Sequence, residues 1–272
     1  MELYTKEQVA SINDETFAFL KVKEAANVLT ITLNREEKKN ALHPHMVNEL
    51  AFAMQYAKVT KSVWVVVIEA AGTVFCSGAD LKAFMGMVGE FDSSIPKPEG
   101  EVLIGELFNK VHKPVITKVN GDVFAGGFFF LAGATYVVAS DTVKFGLPEV
   151  KRGLFPYQVM ASLLKVMSPR NVIDWCIRGY NLPVTKAAEW GLVTHCVKSD
   201  AIDSTVNALI EELKENSPTA IRLGLEAFDH ISSSAEDHKY LMEMLQKTAS
   251  TKDGVEGIMA FREKRKPVWT GA

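Results

Sequence analysis

GDVFAGGFFFLAG, residues Gly121–Gly133, sets two adjacent glycines in an apolar run and follows them with three phenylalanines. A buried helix, a membrane segment and the floor of an active site are all compatible with such a composition. The charge-free window from Val123 to Ser140 is close to the minimum length of a span. It also holds Gly126, Gly127 and Gly133, and Lys118, Asp122 and Asp141 crowd its ends, so a span is the weakest of the three. Strand-like runs lie on both sides: VITKV (115–119) before it, TYVVAS (135–140) and VKFG (143–146) after it. The stretch is therefore expected to connect strands through a turn and a short helix.

The same alternation extends toward the N-terminus. FAFLKV (17–22) and VLTITL (28–33) flank Ala25-Ala26-Asn27 and read as a hairpin. MVNELAFAMQYAKV (46–59) places Val47, Leu50, Met54 and Ala57 on one helical face. WVVVIEA (64–70) suits a strand buried on both faces, and EVLIGELFNKV (101–111) gives another helix. From about Gln158 the pattern turns mostly helical, with Gly191 ending one helix and Ser217-Pro218 starting another. The expected class is α/β: a core with the site over residues 1–200 and a helical subdomain over 201–272. VGEFDSSIPKPEG (88–100) reads as a long loop.

With 272 residues, 47% of them apolar, the chain can bury a sizeable core. Its net charge of -3 has no basic stripe, which argues against a nucleic-acid partner. Cys76, Cys176 and Cys196 are far apart and lack CxxC spacing, so neither a zinc site nor a disulfide framework is expected; a reducing, cytoplasmic setting fits. The opening MELYTKEQVASINDE shows no targeting pattern. His43 and His45 flank a proline without a nearby acidic cluster, and no metal is expected.

FCSGADLKAF (75–84) and NGDVFAGGFFF (120–130) share one construction: an apolar run, small residues, then a helix. Glycine permits close backbone approach, and the first amides of a helix are unpaired donors. Two such turns side by side would aim N–H groups at one oxygen and form an oxyanion hole; each alone is equally a structural turn. Glu149 in FGLPEV lies among apolar residues, where desolvation would raise its pKa toward acid–base use near neutrality. The alternative is a surface glutamate paired with Lys151 or Arg152. Cys76, beside the first turn, reads as a nucleophile or as small apolar filler.

NREEKKNAL (34–42), FCSGADLKAF, KPVITKVNGDVFAGG (113–127), FGLPEVKRGLFP (145–156), AAEWGLV (187–193) and FREKRKP (261–267) together, in order, resemble the crotonase superfamily of enoyl-CoA hydratases and isomerases. The resemblance implies a crotonase-like spiral of ββα units with a C-terminal helical trimerisation subdomain, assembled as a homotrimer or dimer of trimers. It implies an acyl-CoA substrate, with coenzyme A as part of that substrate and no separate cofactor. Ala79 and Gly126 match the oxyanion-hole amides and Glu149 the acid–base. Ser77, Gly78, Asp80, Leu81 and Lys82 fall in the SGADLK motif, Lys82 matching a residue near the CoA nucleotide. Lys39 and Ala41 fall in a segment lining the CoA site, and Phe261 and Lys264 match tail positions that in relatives reach a neighbouring subunit's CoA. The tail also reads as a solvated basic helix end.

Family hydratases carry a second glutamate three residues after the oxyanion-hole glycine, which here is Phe129. Monofunctional enoyl-CoA isomerases of the family resemble this chain in having an apolar residue there and one glutamate at the later position. Moving a double bond needs one base that takes a proton from one carbon and returns it to another, whereas adding water asks for more groups. Phe129 would also dry the site. Isomerisation is the favoured expectation; hydration by Glu149 alone and a non-catalytic acyl-CoA-binding member are the alternatives. After Pro156 the chain reads YQVMASLL where many hydratases are glycine-rich, and Tyr157 offers either a hydroxyl or a packed ring.

Overall fold

The computed structural model describes residues 3–87, 89, 91–232, 242–243 and 245–268. After a capped helix α1 (Lys6–Ala10), β1 (Leu20–Ala25) and β2 (Val28–Leu33) form an antiparallel hairpin. Its turn is Ala26-Asn27, both at positive φ (49° and 68°), and Ala25 belongs to the strand. The strand therefore begins later than the apolar run FAFLKV implied. A two-residue turn with positive φ at both positions matches the strand twist, and it fixes the register at its own end of the hairpin.

α2 (Pro44–Val59) leads to β3 (Val65–Ala70) and β4 (Val74–Cys76), then α3 (Leu81–Phe84) and α4 (Ile104–Lys110). The next turn of the chain is β5 (Val115–Val119), β6 (Asp122–Phe124) and α5 (Phe128–Ala132). A third is β7 (Tyr136–Ser140) and β8 (Lys144–Gly146), followed by α6 (Tyr157–Leu163). Each of these turns gives its first strand to a six-stranded sheet, ordered β1-β2-β3-β5-β7-β10, and its second to a four-stranded sheet, β4-β6-β8-β9. This is the expected ββα spiral. All pairings are parallel except β1–β2 and β8–β9.

The second half holds α7 (Pro169–Arg178), β9 (Asn181–Pro183), α8 (Val184–Glu189), β10 (His195–Val197), α9 (Ile202–Lys214), α10 (Pro218–Ser232) and α11 (Lys252–Glu263). The reading of this half as mostly helical, with few strands, did not place β9 and β10. Three residues are too few to show a period of two, and both strands exist because a sheet edge was free to receive them.

Both faces of β3 are covered. Val66 and Ile68 enter the main core with Leu50, Phe52 and Phe130, while Val65 and Val67 meet Ile116, Val138 and α9's Ile202, Val206 and Ile210. That two-sided burial explains the uninterrupted apolar run. All five residues of α5 are buried, with Phe128 edge-on to Phe145 and Trp175, and Phe130 edge-on to Phe75 and Phe108. Among the described residues no helix is long and apolar enough to cross a membrane.

α11 lies against the turn Glu149–Arg152. A Cβ at Gly257 would be 2.1 Å from the Arg152 carbonyl oxygen and 2.7 Å from the Gly153 nitrogen, so only glycine lets the helix approach that backbone. Gly257→Ala should gain up to about 1 kcal/mol of helix propensity. The overlap is with backbone, which no side-chain rotation relieves, and is expected to cost about 1–3 kcal/mol. Urea melts should show a net loss of stability, and limited proteolysis should cut faster within residues 252–268. Unchanged cleavage would mean that α11 is not held by this contact.

Candidate active site

The turn after β4 runs Ser77-Gly78-Ala79-Asp80. Gly78 has φ +90°, and a Cβ there would lie 2.6 Å from Ala125 Cβ and 3.2 Å from Gly126 N. The turn after β6 begins with Ala125 at φ 51° and continues as a 3-10 turn, Ala125–Gly127, into α5. A Cβ at Gly126 would sit 3.0 Å from Leu42 Cδ1 and 3.7 Å from Ala79 N. The two glycine turns thus face each other. Leu42 N donates to Gly78 O (2.8 Å) and Asp80 N to Leu42 O (3.0 Å), which leaves the intervening Ala79 N–H pointing the other way. Among the described residues neither Ala79 N–H nor Gly126 N–H donates to another group. Two open donors thus stand beside one cavity.

The NREEKKNAL segment staples the first turn in place. Ser77 N donates to Lys39 O (3.0 Å). Buried Asn40 accepts from Arg35 N (2.8 Å) and donates to Ala71 O and Val74 O (2.9 Å each). Arg35 pairs with Asp80 at 2.8 Å and also donates to Ala41 O (3.1 Å). Asp80 caps α3 by accepting from Lys82 N and Ala83 N. Desolvation acts to raise the Asp80 pKa, but the Arg35 pair and the two amides hold it below its ordinary value. Arg35 and Asn40 were not picked out from the sequence, although both lie in a quoted motif. Their signal is an arginine and an asparagine bracketing a charged run, whose partners 30 to 45 residues away only the fold supplies.

Glu149 opens the 3-10 turn Glu149–Arg152, which closes at Gly153 with φ +70°. Its Oε2 is buried with no hydrogen-bond partner. No ion pair joins it to Lys151 or Arg152 among the described residues, so the surface-pair alternative does not hold. Burial pushes its pKa up to about 7, while the turn's own amide and the Arg152 charge pull it back. Glu149, Ala79 and Gly126 border one cavity of about 150 Å³. Ser77, Leu81, Phe129 and Tyr157 line it as well. Phe129, 6% exposed, forms wall where the family's other glutamate would stand.

The other expected positions lie outside this wall. Lys39, at φ 53°, and Lys82 are exposed, Ala41 is half-buried, and Gly78 and Asp80 hold the first turn. Phe261 covers this chain's own Arg152, whose guanidinium carbon is 4.0 Å from the ring centroid. Lys264 is the exposed, left-handed C-cap of α11. Tyr157 lines the cavity, and its hydroxyl is engaged with Thr248 Oγ1 at 2.8 Å. Gln158 and Leu245 line the cavity without having been singled out, and Arg152, which the sequence offered only as a partner for Glu149, lines it as well. Cys76 is fully buried with its thiol pushed up to about 12 by desolvation, and it packs against Gly127, which is the filler role. No group of three or more potential metal ligands occurs among the described residues.

A family model for enoyl-CoA hydratase/isomerase matches residues 23–272. The chain belongs to that family, within the crotonase superfamily. It is 31% identical over 253 residues to a carnitinyl-CoA dehydratase of Escherichia coli, covering 90% of this chain and 95% of that one. It is 29% identical over 248 residues to a mevalonyl-coenzyme A hydratase of Aspergillus fumigatus, covering 89% and 91%. Among solved structures, a carnitinyl-CoA hydratase from Mycobacterium avium superposes with a TM-score of 0.81 at 26% identity, over 94% of this chain and 100% of that one. A methylmalonyl CoA decarboxylase shares the fold at 21% identity with a TM-score of 0.79.

The raised Glu149 pKa makes stability depend on pH. The folded state holds this proton more tightly than the unfolded chain, so its contribution is complete below about pH 4.5 and lost as pH rises through about 7. Glu149→Gln removes that dependence. The stability difference, variant minus wild type, should grow by up to about 3 kcal/mol between pH 4.5 and 8. Urea titrations at both pH values measure it, and a constant difference would contradict a buried, unpaired carboxyl.

Proposed function

We propose that the cavity binds an acyl-CoA thioester, with its carbonyl oxygen accepting from Ala79 N–H and Gly126 N–H while Glu149 moves a proton to and from the acyl chain. Coenzyme A enters as part of the substrate and no further cofactor is required. The exposed ammonium groups of Lys39 and Lys82 flank the stapled turn and suit phosphates, as does Lys264. Negative charge grows on the thioester oxygen as the α-proton leaves, and two fixed donors stabilise that charge more than they stabilise the neutral carbonyl.

The favoured reaction is double-bond isomerisation of a 3-enoyl-CoA to a 2-enoyl-CoA. Its support is the single carboxylate: among the described lining residues Glu149 is the sole acid, and Phe129 is an apolar part of the same wall. Glu149 takes the proton from C2, the dienolate spreads its charge onto the held oxygen, and the protonated acid returns the proton to C4. A carboxyl with a pKa of about 7 is suited to both directions near neutrality. The names of the relatives favour a second reading, reversible hydration, in which the same carboxyl exchanges the α-proton and a water or hydroxyl at C3 comes and goes.

Both readings begin with an ionised Glu149, so kcat/KM should rise with pH through about 7. Glu149→Gln should lower kcat by about a thousandfold. Gly126→Ala, whose Cβ enters the space beside Ala79 N, should lower it about a hundredfold. Products resolved by chromatography from 3-enoyl-CoA and 2-enoyl-CoA separate the two reactions. Efficient formation of 3-hydroxyacyl-CoA from the 2-enoyl substrate would replace isomerisation by hydration, and a fully active Glu149→Gln would remove the base. We further propose that the chain works as a homotrimer or a dimer of trimers, which light scattering on the eluting protein reads directly.

A further inference from the structure

Arg152 follows Glu149 by three residues in the same 3-10 turn and borders the same cavity. Four other arginines hold carboxylates: Arg35 pairs with Asp80, Arg178 with Asp174, Arg222 with Glu226, and Arg265 with Glu256 and Glu263; Arg170 and Arg262, which pair with none among the described residues, are exposed to solvent. Arg152 is half-buried, and among the described residues it makes neither a hydrogen bond nor an ion pair. Its guanidinium stacks on Phe261. A ring occupies the face of a guanidinium, whereas its five N–H donors radiate in the plane, so stacking positions the group without using its hydrogen bonds. A cation that has given up water without gaining an acceptor is costly unless something else supplies one.

Apart from Ser77 in the first glycine turn and Glu149 itself, the other polar side chains of the cavity are already engaged. Tyr157 is bonded to Thr248, and Gln158 Nε2 contacts Met242 Sδ at 3.6 Å. Leu42, Leu81, Phe129, Leu154, Phe155 and Val159 supply apolar wall. An acyl group placed here meets hydrocarbon, the Glu149 carboxyl at the reacting end, and one cation whose N–H donors are not engaged among the described residues. An alkyl terminus would leave that cation desolvated, and a quaternary ammonium would meet like charge. A carboxylate would give the planar fork the bidentate acceptor that its geometry matches.

We propose that Arg152 recognises the acyl group of the substrate and that this acyl group ends in a carboxylate. The inference rests on the reading of the cavity as an acyl-CoA site. Phe261 and the glycine contact of α11 hold the guanidinium at the cavity, which gives the terminal helix a part in choosing the substrate.

The test compares three CoA thioesters of equal acyl length, ending in carboxylate, methyl and trimethylammonium. Wild-type kcat/KM should fall in that order, with about tenfold or more between the first two. Arg152→Met should lower the carboxylate-to-methyl ratio by about tenfold or more, and Arg152→Lys should recover part of it. The ratio cancels any effect of the lost charge on Glu149, because both substrates share it. Equal wild-type rates for carboxylate and methyl substrates would overturn the proposal. So would an Arg152→Met variant that raises KM equally for all three, since the guanidinium would then hold the CoA portion. Calorimetry with the saturated, unreactive carboxyacyl-CoA and alkanoyl-CoA separates this inference from the acid–base reading. Tighter, Arg152-dependent binding of the carboxyacyl form without turnover of any enoyl-CoA would keep the recognition and remove the reaction; turnover with equal binding would do the reverse.

Discussion

The site depends on how closely two backbones approach. Gly78 and the Ala125–Gly127 turn pack so tightly that a single Cβ on Gly78 would overlap Ala125 and press on Gly126 N. That contact turns two ordinary strand–helix connections into a pair of adjacent donors. It requires parallel neighbours: β4 and β6 lie side by side in the small sheet, so the turns leaving them emerge at the same edge. The spiral supplies this arrangement by placing one short strand beside another on each turn, and β8 then delivers Glu149 at the same edge. Ligand sites outside the carboxyl ends of parallel strands follow the same logic.

Stability and function pull against each other around Glu149. An ionised carboxylate with an unpaired oxygen is unfavourable in a folded interior, and a hydrogen-bonding neighbour at position 129 would relieve it. Phenylalanine there offers no hydrogen bond, and burial holds the pKa up at about 7. The cost is carried by the rest of the molecule, through the aromatic packing of α5 and the two covered faces of β3. Arg152 moderates the same strain from the other side, its charge favouring the ionised acid while Phe261 fixes its place.

Much of this was legible in the order of residues. The alternation of strand and helix runs, the glycines of SGAD and AGG, the buried character of FFFLA and the apolar setting of Glu149 all follow from local patterns, because turn chemistry and periodicity are short-range properties. Where the sequence left Glu149 open between a base and a surface ion pair, the buried, unpaired Oε2 removed the surface pair, and the full burial of Cys76 fits the filler reading of that residue. Arg35 and Asn40 were not legible as supports, since their partners are Asp80, Ala71 and Val74, and nothing short-range links an arginine to a carboxylate 45 residues away. β9 and β10 escaped notice for a similar reason: strands of three residues are made by the edge that accepts them.

By itself the sequence determined the class of fold, the two glycine turns and the absence of an acid at Phe129, because each is a matter of residue type at a fixed spacing along the chain. Only the tertiary structure decided that the two turns face each other, that Arg35 and Asn40 hold the first of them, and that α11 returns to its own Glu149 turn, with Phe261 over Arg152. Those are meetings between segments far apart in the chain, and they exist because parallel strands align their ends and because Gly257 has no side chain to keep the last helix away.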